Sequence, residues 1–184
     1  RPGEADCSHD TRVNLDSPHQ LLWGHDANED AALDMMKGDP QWVSRLDEDG
    51  RTPLHVAARF SHLKAVRWLL DNDVDVDVQA YNGFTALHLT TDPLAVAMIL
   101  EQSPDLTLNS VRGTVLQRAM SDLNRARTEE EKARLEQIVQ LSLDHGAEYD
   151  AVTAVRRNDI ERIKTIAELD ERRIVAQGSD LLRV

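Results

Sequence analysis

Two short segments of the chain repeat each other at a distance of 33 residues. Residues 52–55 read Thr-Pro-Leu-His and residues 85–88 read Thr-Ala-Leu-His, and a glycine stands two residues before each of them, at Gly50 and Gly83. A period of this size is typical of arrays in which one unit cannot bury its apolar face alone and neighbouring units stack into a common core. Because such stacks mostly bind partners, the repeat favours recognition over catalysis.

The clearest unit covers residues 47–80 and reads as a turn followed by two helices. The Thr-Pro pair at 52–53 suits the start of the first helix, since Thr can cap it and Pro loses no hydrogen bond in its first turn. Apolar residues at helical spacing predict the second helix over 63–72. Asp73 tolerates the left-handed backbone better than most residues, and the alternating residues 74–78 predict an extended segment that leads to the next turn.

This unit closely resembles the ankyrin pattern G-x-T-P-L-H-x-A-A-x-x-G-H-x-x-x-V-x-x-L-L. It departs from that pattern at Ser61 and Asp73, where ankyrin repeats usually have glycine. The resemblance implies an all-α ankyrin-repeat solenoid of about five helix-turn-helix repeats, with short hairpin-like turns and irregular ends. In this family the histidine of the motif usually hydrogen-bonds the backbone between adjacent turns, which implies structural roles for His55 and His88.

The same pattern suggests a division of the chain. We expect residues 1–16 to form a polar tail or an irregular N-terminal cap, and residues 17–184 to form the ankyrin-repeat domain. The approximate repeats are 17–46, 47–80, 81–109, 110–149 and 150–177. Residues 178–184 resemble the opening of a further unit, so we expect the chain to be cut from a longer array.

Two repeats depart from the regular length. In the second clear unit the first helix is predicted to stop at residues 90–91, and Asp92-Pro93 reads as the cap and start of the next helix. In the following unit an insertion at 124–132 is predicted to form an extended helix and loop. Thr128 and Glu131 have the spacing of a capping box, which predicts a long helix from there to about Leu143.

Charge and composition limit the classes of partner. The formal net charge is −12 at pH 7, whereas nucleic-acid binders normally show a basic footprint, so we expect no nucleic-acid partner. Residues 1–47 hold ten acidic and four basic side chains, which favours a protein partner with a basic surface. An acidic surface that serves solubility alone is the alternative reading.

No apolar run approaches the roughly 20 residues that a membrane span needs, so no membrane insertion is expected. Cys7 is the single cysteine, which rules out an internal disulfide and favours a cytoplasmic location. We expect the chain to be a monomer.

The sequence offers no constellation for catalysis. It holds no G-x-S-x-G, P-loop or H-E-x-x-H motif, so we expect no enzyme activity, no cofactor and no metal site. His9, His19 and His25 match no compact metal motif and lie in a segment of doubtful order.

The resemblance implies that partners bind at the turn tips and on the concave face of the first helices. Carried over residue by residue, this gives eight candidate contact residues: Asp49, Arg51, Arg59, Tyr81, Asn82, Phe84, Arg112 and Arg118. The tryptophans are expected to pack between repeats, and an exposed one would be a candidate binding anchor. The function predicted is non-catalytic protein–protein interaction. The alternative is a regulatory or targeting domain cut from a larger, possibly enzymatic, protein.

Overall fold

The computed structural model describes residues 17–148. The chain divides into two compact units, Arg1–Pro104 and Asp105–Val184, and each is described by itself. The predicted tail at 1–16 and the predicted repeats at 150–177 and 178–184 lie outside the described residues.

The described part of the first unit is built from pairs of short helices. They are α1 (Pro18–Leu21), α2 (Glu29–Gly38), a 3₁₀ turn (Pro40–Val43), α3 (Pro53–Arg59), α4 (Leu63–Leu70), α5 (Ala86–Leu89) and α6 (Pro93–Leu100). The first helices of successive pairs contact each other in the row α1–α3–α5, and the second helices form the row α2–α4–α6. This two-row stack confirms the predicted all-α repeat fold.

The core lies between the two rows and is made of aliphatic side chains. Its largest fully buried members in this unit include Leu22, Met36, Leu54, Leu69, Ile99 and Leu100. Ala57 and Ala58 of α3 are also fully buried, and their small size lets neighbouring helices approach closely. The apolar spacing in the sequence therefore places the core correctly, although α4 ends at Leu70, two residues before its predicted end.

Two details of the loops bear on the predictions. The first helix of the third pair is short, since α5 ends at Leu89, and the carboxylate of Asp92 accepts the Leu94 N–H at 2.9 Å to start α6. Both features confirm the sequence interpretation. The extended segment expected at 74–78 is wrong, because a turn interrupts it where the Asp75 carboxylate accepts the Asp77 N–H at 2.9 Å.

In the described part of this unit, residues 17–104, three non-glycine residues have positive φ at helix ends: Ser61 (61°), Asp73 (55°) and Ser103 (55°). A side chain in this left-handed region costs roughly 1–2 kcal/mol. We expect the single replacements Ser61→Gly, Asp73→Gly and Ser103→Gly each to raise the free energy of unfolding by about 0.5–1 kcal/mol. Urea denaturation followed by circular dichroism measures the change.

Ser44 provides a matched control, because it is exposed and has a φ of −105°. Ser44→Gly is expected to leave stability unchanged or to lower it, since glycine there only adds entropy to the unfolded chain. A gain from Ser44→Gly equal to that at the other three positions would contradict the argument from φ.

The described part of the second unit contains α7 (Val115–Leu123) and α8 (Glu129–Asp144), which pack against each other. The Thr128 hydroxyl accepts the Glu131 N–H at 3.2 Å, and α8 continues to Asp144, as the capping spacing predicts. The inserted segment 124–132 is therefore a short loop followed by the first turn of α8. At the start of α7, Gln117 occupies the position that histidine has in the two repeats before it.

Candidate functional site

The turn tips of the first unit are two hairpins that hydrogen-bond to each other. In one, the Asp47 N–H donates to the Arg51 carbonyl at 2.9 Å, and in the other the Ala80 N–H donates to the Phe84 carbonyl at 2.9 Å. The Tyr81 N–H donates to the Asp49 carbonyl at 3.1 Å and joins the two tips. The backbone thus fixes the positions from which the tip side chains project.

Each tip is also held from the preceding repeat by a buried histidine. His55 Nδ1 accepts the Thr52 N–H at 3.2 Å, so the ring proton lies on Nε2, which donates to the Phe84 carbonyl at 3.0 Å. This confirms the structural role predicted for His55. His19 Nε2 lies 2.9 Å from the Arg51 carbonyl, the equivalent position of the tip before.

The expectation of doubtful order around His19 is wrong, because His19 is buried in α1. It lies two residues after the N-cap Ser17, whereas His55 lies three residues after Thr52. A search for the Thr-Pro-Leu-His motif therefore misses it. The only sequence signal was a histidine following a Ser-Pro helix start.

Burial lowers the pKa of both His19 and His55 below the ordinary value of 6.5. The unfolded chain then takes up protons at a higher pH than the folded chain does, so stability rises with pH across this range. We expect the free energy of unfolding to be level above pH 7. It should begin to fall as the pH drops through about 6.5, and the loss should continue down to the lowered folded-state pKa values.

Urea denaturation at a series of pH values from 8 to 5.5 tests this prediction. His55→Gln removes one titrating group and is expected to flatten the curve. The control is Ser44→Gln, an exchange of uncharged side chains at an exposed position of the same unit, and it should leave the slope unchanged. If His55→Gln does not alter the slope, the pH dependence of stability does not come from His55.

Six of the eight candidate residues surround one groove of about 350 Å³. They are Asp49, Arg51, Arg59, Tyr81, Asn82 and Phe84, and the side chains of Ala80 and Leu89 complete the lining. Tyr81 is 80 % exposed, and its ring lies over Gly50, where an added Cβ would come within 2.7 Å of the ring. Phe84 is half-buried and meets the His88 ring edge-on at 5.9 Å.

The two arginines of the groove differ in whether a carboxylate is paired with them. The Arg51 side chain is 14 % exposed; it pairs with the Asp49 carboxylate, and its Nε lies 3.2 Å from the Asp47 carboxylate. Arg59 is exposed at the end of α3. Of the two, Arg59 therefore offers the accessible positive charge.

Trp23 supports both arginines, and sequence reasoning did not place it at the site. The guanidinium carbons of Arg51 and Arg59 lie 4.9 and 5.7 Å from its ring centroid. Trp23 is 49 % exposed and contacts Phe60 edge-on at 5.3 Å. Its exposure departs from the expected packing between repeats and makes it a candidate anchor.

The other two candidates, Arg112 and Arg118, belong to the second unit. Both approach Asp122, at 3.8 Å and 3.4 Å from its carboxylate oxygens. Their charges are thus partly compensated within that unit.

A second surface of the first unit is an apolar groove of about 730 Å³ on the row α2–α4–α6. It is lined by apolar side chains that include Leu33, Leu63, Trp68, Leu94 and Met98. None of the eight candidate residues lies there. We call it the outer groove, and the groove between the tips and α3 the tip groove.

Residues 17–148 contain no group of three His, Cys, Asp or Glu side chains that could hold a metal ion. Over the same residues, no helix has the length and apolar character needed to cross a membrane.

Comparison with known proteins agrees with the geometry. The family model for ankyrin repeats, in three copies, matches residues 20–121. The Neurogenic locus Notch protein of Drosophila melanogaster is 30 % identical over 112 residues, which are 60 % of this chain and 4 % of that protein. The mouse ankyrin repeat and protein kinase domain-containing protein 1 is 29 % identical over 106 residues, or 52 % of this chain and 13 % of that protein.

The human ankyrin repeat domain-containing protein 13B is 35 % identical over 69 residues, which are 38 % of this chain and 11 % of that protein. The chain thus spans only a small part of the length of the curated relatives that it matches.

Proposed function

Because the chain belongs to the ankyrin-repeat family, whose members are generally protein–protein interaction modules, we propose that it binds a protein partner through the tip groove. One observation carries the proposal: six residues chosen as contacts from the sequence line a single groove. An exposed aromatic ring and an accessible arginine at its edge are side chains enriched among the residues that dominate binding energies.

The proposed role is non-catalytic. Ankyrin repeats are typically non-catalytic. The buried histidines, which would be the candidates for catalysis, lie within hydrogen-bond distance of backbone carbonyls, as His19, His55 and His62 do. The net charge of −12 supports a partner with a basic surface, which the field of the protein would attract over a distance. We propose that the chain acts as a monomer in this interaction.

A second candidate is a regulatory or targeting domain within a larger protein. The relatives support it, since the matched segments are 4–13 % of their lengths and the printed name of one includes a protein kinase domain. Activity in the full-length gene product that is absent from these 184 residues would favour this candidate.

The test of the tip groove is a double replacement, Arg59→Ala with Phe84→Ala. A partner captured from a lysate of the source organism is identified, purified and titrated by calorimetry against both proteins. We expect the variant to bind more weakly by about 1–4 kcal/mol, because it loses one charged and one aromatic anchor.

The control is Arg67→Ala with Leu94→Ala, which removes one arginine and one apolar side chain from the outer groove and should leave the affinity unchanged. Circular dichroism and thermal unfolding verify that each variant is folded. Equal affinity of the tip-groove variant and the wild type, at unchanged stability, would contradict the proposal that the partner binds in the tip groove.

A further inference from the structure

The tip groove presents one accessible positive charge although the chain is acidic overall. Its charged lining consists of Asp49, Arg51 and Arg59. Since Arg51 is already paired with Asp47 and Asp49, these three groups neutralise one another in part. No ion pair among residues 17–148 includes Arg59, so its guanidinium is available to a ligand.

Two aromatic rings orient the Arg59 guanidinium. Its central carbon lies 5.7 Å from the centroid of Trp23 and 5.6 Å from that of Phe60, and the two rings contact each other. A guanidinium stacked on rings keeps its N–H donors free at its edge. Because the side chain is already restricted, less rotamer entropy is lost when a ligand binds it.

Asn82 also offers donors to the groove. Asn82 Oδ1 accepts the Phe84 N–H at 3.4 Å, so its Nδ2 amide is the end that can donate to a ligand. The half-buried Phe84 and Leu89 add apolar lining. The groove thus combines donors and one accessible cation with an apolar wall.

We infer that the tip groove takes an acidic peptide segment of the partner, with an Asp or Glu carboxylate on Arg59 and a neighbouring apolar side chain against Phe84 and Leu89. The inference rests on the proposed function and specifies its partner. Planar guanidinium and carboxylate groups match as bidentate, charge-assisted hydrogen-bond pairs. A basic surface elsewhere on the partner remains compatible, since the acidic field acts over a longer range than this contact.

The test uses a display library of random, unphosphorylated 12-residue peptides selected against the 184-residue chain. An enriched peptide is synthesised in two forms, one with its acidic residue and one with Asn or Gln in that place. Both are titrated against the wild type, Arg59→Gln and the control Arg67→Gln, which removes an exposed arginine of the outer groove.

We expect enriched peptides to pair an acidic with an apolar residue. Neutralising the acidic residue should weaken binding to the wild type at least tenfold and binding to Arg59→Gln by less than threefold. Arg67→Gln should behave as the wild type does, and added salt should weaken the acidic peptide more than the neutral one.

The outcomes separate this inference from the function on which it rests. One outcome is a set of peptides that bind a Tyr81→Ala/Phe84→Ala variant more weakly than the wild type and bind Arg59→Gln as well as the wild type. That result would overturn the inference of an acidic peptide and support the tip groove as the binding site. Failure to enrich any peptide, or enrichment of peptides that bind the Tyr81→Ala/Phe84→Ala variant as well as the wild type, would overturn both. A phosphopeptide that binds Arg59 where its carboxylate counterpart does not would also overturn the carboxylate assignment.

Discussion

Replacing Leu69 by alanine is expected to lower the free energy of unfolding by about 2–5 kcal/mol. Leu69 lies in α4 with 0 % of its surface exposed, and α4 contacts α2, α3 and α6. The truncation removes apolar contacts and leaves a cavity among three helices that cannot all move inward. Urea denaturation followed by circular dichroism measures the loss.

Leu94→Ala is the matched control, because it makes the same chemical change in α6 at a side chain that is 63 % exposed. It should change stability by no more than about 0.5 kcal/mol. Comparable losses from both replacements would contradict the placement of the core between the two helix rows.

The second large effect is expected from His55→Ala, at about 2–4 kcal/mol. This change opens a cavity and leaves the buried Thr52 N–H without its acceptor, while the Phe84 carbonyl keeps its bond from Ala80. An orphaned buried donor alone costs roughly 1–3 kcal/mol. The same denaturation experiment measures the loss at pH 7.5, which lies above the lowered pKa of His55.

His55→Gln distinguishes the two causes. In the second unit Gln117 Oε1 accepts the Thr114 N–H at 3.2 Å, so glutamine at position 55 is expected to satisfy Thr52 in the same way. It should cost less than half as much as alanine. If both replacements cost the same, capping of Thr52 is not the source of the stability.

The sequence predicts the fold where local chemistry and the repeat pattern agree. Helix starts at Thr52, Asp92 and Thr128 follow from capping residues, and these need only neighbours along the chain. The prediction for segment 74–78 is wrong for a reason that is also local: alternation predicts an extended chain, but the Asp75 carboxylate accepts the Asp77 N–H and forms a turn there instead.

The site is harder to predict, because it depends on which repeats meet. Candidate contact residues at the tips and on the first helices can be assigned by their position beside the motif, and six of the eight do line one groove. The contacts of Trp23 with Arg51 and Arg59 join residues 28 and 36 positions apart, and no periodicity in the sequence encodes them. Whether an arginine is ion-paired or accessible likewise depends on which carboxylates lie near it in the folded chain.

The tip groove and the Trp23 ring that contacts its arginines together draw on three consecutive repeats. Trp23 comes from the first pair of helices, Arg51 and Arg59 from the second, and Tyr81 and Phe84 from the third. A single repeat grafted into another scaffold would carry only a fragment of the surface. Duplication, loss or shuffling of one repeat during evolution would dismantle it in one step. The smallest heritable unit of the proposed binding surface is therefore a triplet of repeats, although the repeating unit of the fold is a single repeat.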